Sequence, residues 1–189
     1  MRSISVGLVA LAMQAFAPGA AAQEAYVAGS AGRSSWSLDC GPSGCQRVTT
    51  AWRAAAGYRF NRVVAVEAFY LDVGSARSSD FSLDGRLGAT GLGAQALLGW
   101  QFDDLELAGK IGLANMRNRF QASPTSLYSS STVRHTELIG GLVGAYRLTP
   151  NVSLRMDVDI VTVALEGDFV FYSRGSDVTT LMLGVNVRF

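Results

Sequence analysis

The polarity of the chain alternates residue by residue. In its last nine residues, LMLGVNVRF, the positions Leu181, Leu183, Val185, Val187 and Phe189 are apolar, with Gly184, Asn186 and Arg188 between them. A period of two marks a strand with one apolar and one polar face, because successive Cβ atoms leave the pleat on opposite sides. The pattern recurs along the chain. Val152, Leu154, Met156, Val158 and Ile160 share one face, and Ser153, Arg155, Asp157 and Asp159 the other. Leu105, Leu107, Ile111 and Leu113 oppose Glu106, Ala108, Lys110 and Gly112; Trp52, Ala54, Ala56, Tyr58 and Phe60 oppose Arg53, Ala55, Gly57 and Arg59. Leu92, Ala94, Ala96, Leu98, Trp100 and Phe102 oppose Gln95 and Gln101, while Leu138, Leu142, Tyr146 and Leu148 oppose Glu137, Gly141 and Arg147. Charge stays off the apolar face throughout.

The opening stretch, MRSISVGLVALAMQAFAPGAAAQ, runs from Arg2 through an apolar core to a Pro18-Gly19 break and the small residues Ala20-Ala21-Ala22. That order reads as a secretory signal peptide over 1–22, leaving 23–189 as one domain. No later apolar run is long enough for a transmembrane helix. A membrane location would then require a closed barrel, since backbone groups in lipid need partners within the protein. The 21 glycines fit sheets better than helices. A formal charge of +1 and a single lysine, Lys110, argue against nucleic acid and against a polybasic membrane patch.

Three stretches resemble one another: AGYRFNR (56–62), LGWQFDD (98–104) and GAYRLTP (144–150). Each ends in a turn signal, Asn61-Arg62, Asp103-Asp104 or Pro150-Asn151, of the kind that joins alternating runs into hairpins. Segments rich in Ser, Gly, Asp and Arg lie between, near 36–52, 75–88, 117–134 and 166–176. Three short turns at one end and four long loops at the other require eight strands. They are expected near 25–35, 53–61, 63–74, 89–102, 105–116, 135–149, 152–165 and 177–189.

Alternation alone does not say which face points outward, and a soluble lipocalin-like barrel would bury the apolar one. Three features favour the membrane. Tyr58, Phe60, Trp100, Phe102, Tyr146 and Phe189 gather at the short-turn end on the apolar face, as an interfacial aromatic girdle does. The polar face mixes both signs of charge with Gly and Ala, as the filling of a narrow barrel requires. The chain also ends on a strand whose last residue is aromatic. LGVNVRF (183–189), together with YVAGSAG (26–32), GYRFN (57–61) and VVAVEAFYLDVG (63–74), resembles the small OmpA-like and OmpX-like outer-membrane barrels of bacteria. The resemblance covers nearly all of 23–189. It implies an eight-stranded antiparallel transmembrane up-and-down β-barrel in the bacterial outer membrane. It also implies that Gly184, Val187 and Phe189 form the C-terminal signal read by the barrel-assembly machinery. Met182 departs from that signal, which commonly has a polar residue there. No peptidoglycan-binding domain is seen after the barrel, so the cell-wall tether of full OmpA proteins is not carried over.

Arg53, Glu67, Lys110, Glu137, Arg155, Asp157 and Asp159 are the charges expected inside. In a narrow lumen they must pair, and the residues alone do not say which cation meets which carboxylate. The expected role is a polar core that fills the barrel; a gate or ion path is the other reading. Cys40 and Cys45, in DCGPSGCQ, are expected to form one disulfide, since exported proteins oxidise such pairs. A ring this short stabilises by roughly 2 kcal/mol. A metal site would need further ligands, and the sole histidine, His135, is distant in sequence. His135 with Ser131, Thr136 and Glu137 is the one set suggestive of nucleophilic catalysis. The lipid A deacylase barrels, however, carry Ser two residues after His, where this chain has Glu137. GRLGATGLGAQ (85–95) lacks the Gly-Lys-Ser/Thr of a phosphate loop.

The loops hold Trp36, Trp52, Phe81, Phe120, Tyr128, Phe169, Phe171 and Tyr172 among arginines that include Arg77, Arg86, Arg117, Arg119 and Arg134. These residue types dominate binding hot spots, and the arginines also suit lipopolysaccharide phosphates. The expected function is a monomeric, cofactor-free, non-enzymatic barrel that supports the envelope and presents interaction loops. Its expected partners are outer-membrane lipid, lipopolysaccharide and an unidentified extracellular ligand. An adhesin or host-resistance module is the alternative, followed by a lipid A-modifying enzyme or a soluble carrier. A general porin is disfavoured because wide aqueous lumens belong to barrels of about 16 strands.

Overall fold

The structure is a computed structural model that describes residues 24–37, 45–80, 83–123, 129–163 and 176–189. The segment 1–22, expected to be a signal peptide, and Cys40, Phe81, Tyr128, Phe169, Phe171 and Tyr172 lie outside the described residues. Among the described residues every regular element is a strand. The barrel strands are β1 (Glu24–Trp36), β2 (Val48–Arg59), β3 (Val64–Asp80), β4 (Leu83–Phe102), β5 (Leu105–Ser123), β6 (Ser129–Arg147), β7 (Val152–Val163) and β8 (Ser176–Arg188). Each pairs antiparallel with its successor, and β8 returns to β1 through Val187↔Val27, Val185↔Gly29 and Leu183↔Ala31. The body of the sheet thus closes on itself, while Ser129–Leu138 of β6 runs past the last β6–β7 pair, Ile139↔Val161.

The three short connections form as their residues dictate. Asn61 turns the chain by accepting hydrogen bonds at Oδ1 from the backbone N–H groups of Val63 and Val64, both at 2.8 Å. Asp103 takes a left-handed φ of 47°, which Asp tolerates better than most residues and which suits a two-residue hairpin. In the third turn Thr149 Oγ1 accepts from Val152 N at 3.0 Å, while Asn151 Nδ2 donates to the Arg188 carbonyl at 3.1 Å. Two of the glycines show what the geometry demands. Gly74, at φ 75°, sits where the β3–β4 register shifts between Asp72 and Ser75, a bulge that re-aims the upper part of β3. At Gly184 a Cβ would strike the Gly29 carbonyl oxygen and Ser30, so the β8–β1 seam closes only without a side chain there.

Four strands run further than their composition suggests. The stretches 75–88 and 117–134, expected as loops, are largely strand: pairing continues to Asp80↔Leu83 and to Ala122↔Ser129. The expected loop 36–52 likewise gives way to β2 from Val48 and to a short pairing of Cys45–Gln46 with Arg77 and Ser78. Ser- and Arg-rich sequence there reports water on the outer face, which a paired backbone tolerates as well as an unpaired one does.

The outer wall is apolar. Leu92, Leu138, Leu142, Trp100 and Phe189 are more than half exposed, and Leu98, Leu107, Ile111, Leu113, Ile160, Leu181 and Leu183 join them. Soluble monomers do not expose a continuous apolar belt of this kind. On β4 the outward set runs from Phe102 to Leu92, which at 3.4 Å per residue and a tilt of 40° gives a band about 26 Å tall, the height of an outer-membrane barrel's lipid-facing zone. Tyr58, Phe60, Trp100, Phe102, Tyr146 and Phe189 all face out at its short-turn edge.

Candidate functional site

The lumen is filled in layers. Nearest the short turns, Glu106 accepts from both Arg59 and Arg188, the latter at 3.2 Å, and Arg188 Nε stands 3.8 Å from Glu24. Above this rim lie Tyr26, Ala65, Leu97, Ala108 and Val143, all buried. Next comes an ionic layer. Over it is a larger apolar plug that includes Trp36, Phe69, Leu71, Val73, Met116, Ile139, Val161, Val178 and Met182. Trp36, expected among the exposed loop aromatics, is therefore a lumen residue, because the inward positions of β1 stay inward to its last residue. Trp52 does face outward, with its ring 5.1 Å from that of Tyr70.

The ionic layer draws one to three residues from each of six strands, three of them from β7. Glu67 Oε1 accepts from Arg155 Nη1 at 2.6 Å and from the Tyr26 hydroxyl at 2.8 Å. Its Oε2 accepts from Gln95 Nε2 at 2.7 Å, Arg155 Nη2 at 3.1 Å and Arg53 Nη2 at 3.3 Å. Asp157 accepts from Lys110 Nζ at 2.7 Å, from Arg155 Nε and Nη2, each at 2.9 Å, and from Ser30 Oγ at 3.2 Å. Asp159 meets Lys110 Nζ at 2.7 Å and Arg53 Nη1 at 3.1 Å. The Arg53 guanidinium also lies 4.3 Å from the centroid of the Phe69 ring. Three cations face three carboxylates, and all six are buried. Charge is balanced and the carboxylate oxygens are engaged, which is what a low-dielectric interior demands.

Six of the seven charges expected in the lumen thus meet there. Glu137, the seventh, is on the lumen face opposite Ala114 but only half-buried, four residues along β6 from Gly141, the partner of Lys110. Among the described residues no ion pair joins it to the six. Tyr26, Ser30, Gln95 and the Arg59–Glu106–Arg188 rim, not among the seven expected charges, also join the lumen contacts. Alternation had placed Gln95, Arg59, Glu106 and Arg188 on the polar face; strand register, which alternation does not encode, brings them into contact.

The remaining candidates separate in space. His135 and Glu137 share the lumen face of β6, Thr136 faces outward, and the side chain of Ser131 lies outside the described residues. Cys45 pairs through its backbone with Ser78, while its expected partner Cys40 lies outside the described residues. Val187 is paired to Val27 and Val152, and the Phe189 N–H donates to the Ala25 carbonyl at 3.0 Å. Arg77, Arg86, Arg117, Arg119 and Arg134 are exposed on the four strands that extend furthest from the short turns. Among the described residues no group of His, Cys, Asp and Glu side chains is placed to hold a metal ion.

Solved structures share this architecture. Neisserial surface protein A is 22% identical with a TM-score of 0.59, over 87% of this chain and 97% of that one. Ail, the attachment invasion locus protein of Yersinia pestis, is 17% identical at 0.56, over 88% and 99%. A major outer membrane protein of Thermus thermophilus is 14% identical at 0.62, over 87% and 99%. At these identities the likeness is one of fold. No curated protein matches the chain by sequence. The model of the outer membrane protein beta-barrel domain matches residues 3–189, so the chain belongs to that family and is a protein of the bacterial outer membrane.

Proposed function

We propose that the protein is a monomeric, non-enzymatic barrel that reinforces the outer membrane and presents its two long hairpins, β3–β4 and β5–β6, outside the cell. The filled lumen supports this reading: a neutral network of Arg53, Lys110, Arg155, Glu67, Asp157 and Asp159 sits between apolar layers above and below. Residues locked to one another in this way are poor candidates for a transport path or for proton transfer to a substrate. Insertion proceeds through the barrel-assembly machinery, which reads Gly184, Val187 and Phe189, and Cys40 and Cys45 form a disulfide in the first outer loop.

A second reading, an adhesin or host-resistance module, draws support from the hairpins, which carry strand pairing well beyond the apolar band. Survival in detergent and bile salts separates the two. A deletion strain is complemented with the full protein or with a version whose β3–β4 and β5–β6 hairpins are cut back to short turns, at matched surface levels. Full rescue by the trimmed barrel supports the envelope role. Rescue by the full protein alone moves the function to the hairpins, and rescue by neither overturns the proposal.

A further inference from the structure

The outer wall carries arginines in an arrangement that a sheet does not adopt for its own stability. Arg117 on β5 is paired directly with Arg134 on β6, and Arg77 on β3 directly with Arg86 on β4. Directly opposed like charges destabilise a sheet. Arg119 is the next outward residue above Arg117, and its neighbour on β4 is Gly88. Two adjoining surface clefts of about 370 and 360 Å³ run along this wall and share Arg117 and Arg119, with Arg134 in one and Arg86 in the other. Against these four guanidinium groups the clefts hold one carboxylate, Asp72, whose Oδ1 already accepts from the Gly74 N–H at 2.8 Å. Arg86 Nε donates to Ser75 Oγ at 2.9 Å.

The height of the cluster identifies its ligand. Leu92 and its β5 partner Asn115 mark the top of the apolar band, and Thr90 with its partner Arg117 form the next outward row. At 3.4 Å per residue and a strand tilt of 40°, that row stands about 5 Å above the hydrocarbon edge. This is the level of lipid head groups. Tyr70 and Leu92 line the same cleft as Arg117, Arg119 and Arg134. The cleft therefore opens sideways over the lipid-facing wall, with apolar surface below and cations above. Guanidinium forks bind phosphate bidentately and are the preferred side chain for that purpose. Nor is lysine an alternative source of charge here, since the only lysine, Lys110, is buried in the lumen.

We infer that the wall formed by Arg117, Arg119 and Arg134, extended by Arg86, binds the phosphoryl head group of an outer-leaflet lipid, its acyl chains lying against Tyr70 and Leu92. The phosphate bridges Arg117 and Arg134 and turns their mutual repulsion into two favourable contacts. The site lies at the base of the β3–β4 and β5–β6 hairpins, apart from whatever their tips engage.

The test is native mass spectrometry of the refolded full barrel in detergent micelles, titrated with diphosphoryl lipid A and with the same lipid A stripped of phosphate. The proteins compared are wild type, Arg117→Gln/Arg134→Gln, and Arg62→Gln, which removes an exposed arginine at the opposite end of the barrel. Wild type and Arg62→Gln are expected to bind the phosphorylated lipid at least about tenfold more tightly than the stripped one, and the double variant to lose that preference. The double variant should fold, because it removes a repulsion; if it does not, Arg119→Gln, which has no arginine opposite it, carries the same comparison. Equal binding of the two lipids by wild type would overturn the inference, as would a preference that survives in the double variant. Displacement of bound lipid A by an equimolar soluble polysulfated sugar would overturn it too, by making the cluster a site for soluble polyanions.

Discussion

Replacement of Arg155 by Met is the most direct probe of the lumen. The guanidinium makes four of the hydrogen bonds that hold the layer together, to both oxygens of Glu67 (2.6 and 3.1 Å) and both of Asp157 (2.9 Å each). Met fills much of the same volume and restores none of them. Glu67 keeps Tyr26, Gln95 and Arg53, and Asp157 keeps Lys110 and Ser30. Neither carboxylate is wholly stranded, but two cations then face three anions beneath an apolar plug. Breaking a buried pair by removing one partner costs about 3–5 kcal/mol, and the surviving contacts place Arg155→Met near the middle, at about 4 kcal/mol.

The second step of the same experiment isolates the charge balance. Glu67→Gln alone leaves three cations with two carboxylates, whereas Arg155→Met/Glu67→Gln leaves two of each. The double variant should therefore lose less than the sum of the single losses, by about 2 kcal/mol, within the range measured for coupled neighbours. Urea titration of protein folded in lipid vesicles reads this out through the fluorescence of Trp36, Trp52 and Trp100 and through the heat-dependent gel mobility of the folded band. A loss below about 1 kcal/mol for Arg155→Met, or strict additivity in the double variant, would refute the reasoning.

Three further outcomes are expected. Leu142→Arg, in the outward row of Leu98 and Gly109 near mid-band, should cost about 2–4 kcal/mol in vesicles, while Leu148→Arg, beyond the girdle, should cost about 0–1 kcal/mol; equal costs in the same urea titration would contradict the outward orientation of this wall. Gly184→Val should abolish the heat-modifiable folded band, because its side chain meets the Gly29 carbonyl across the closing seam. Alkylation with and without reductant, followed by mass measurement, should find Cys40 and Cys45 joined, and reduction should lower stability in the urea titration by about 2 kcal/mol.

Which face each residue shows was legible because the code is local: one lipid-facing and one lumen-facing side chain per two residues. Leu105, Lys110, Arg155 and Phe189 all lie where alternation places them. The three short turns were equally local, set by Asn61, Asp103 and Thr149. What was not legible depends on pairing at a distance. Glu67 meets Arg155 across 88 residues because the registers of several strands and their shear align them. The same registers leave Glu137 out and bring Tyr26 in. The hairpin extensions were hidden for a different reason: above the lipid both faces can be polar, so the alternation fades although the backbone pairing continues.

The ionic lumen has a consequence for how the strands find their register. Were both faces apolar, a one-residue slip would exchange two similar surfaces at little cost, because the side-chain period is two. With Arg53, Glu67, Lys110, Arg155, Asp157 and Asp159 on inward positions, the same slip turns charges toward lipid. A lipid-facing arginine or lysine costs about 2–4 kcal/mol at mid-membrane, and the abandoned lumen partners add their own unpaired burial. β7 shows the effect most clearly. A slip there would move Arg155, Asp157 and Asp159 outward together and turn Leu154, Met156, Val158 and Ile160 onto Glu67, Lys110 and Arg53. A stable apolar filling would supply cohesion without this discrimination, so the ionic layer acts through the registers it forbids as well as through the bonds it makes.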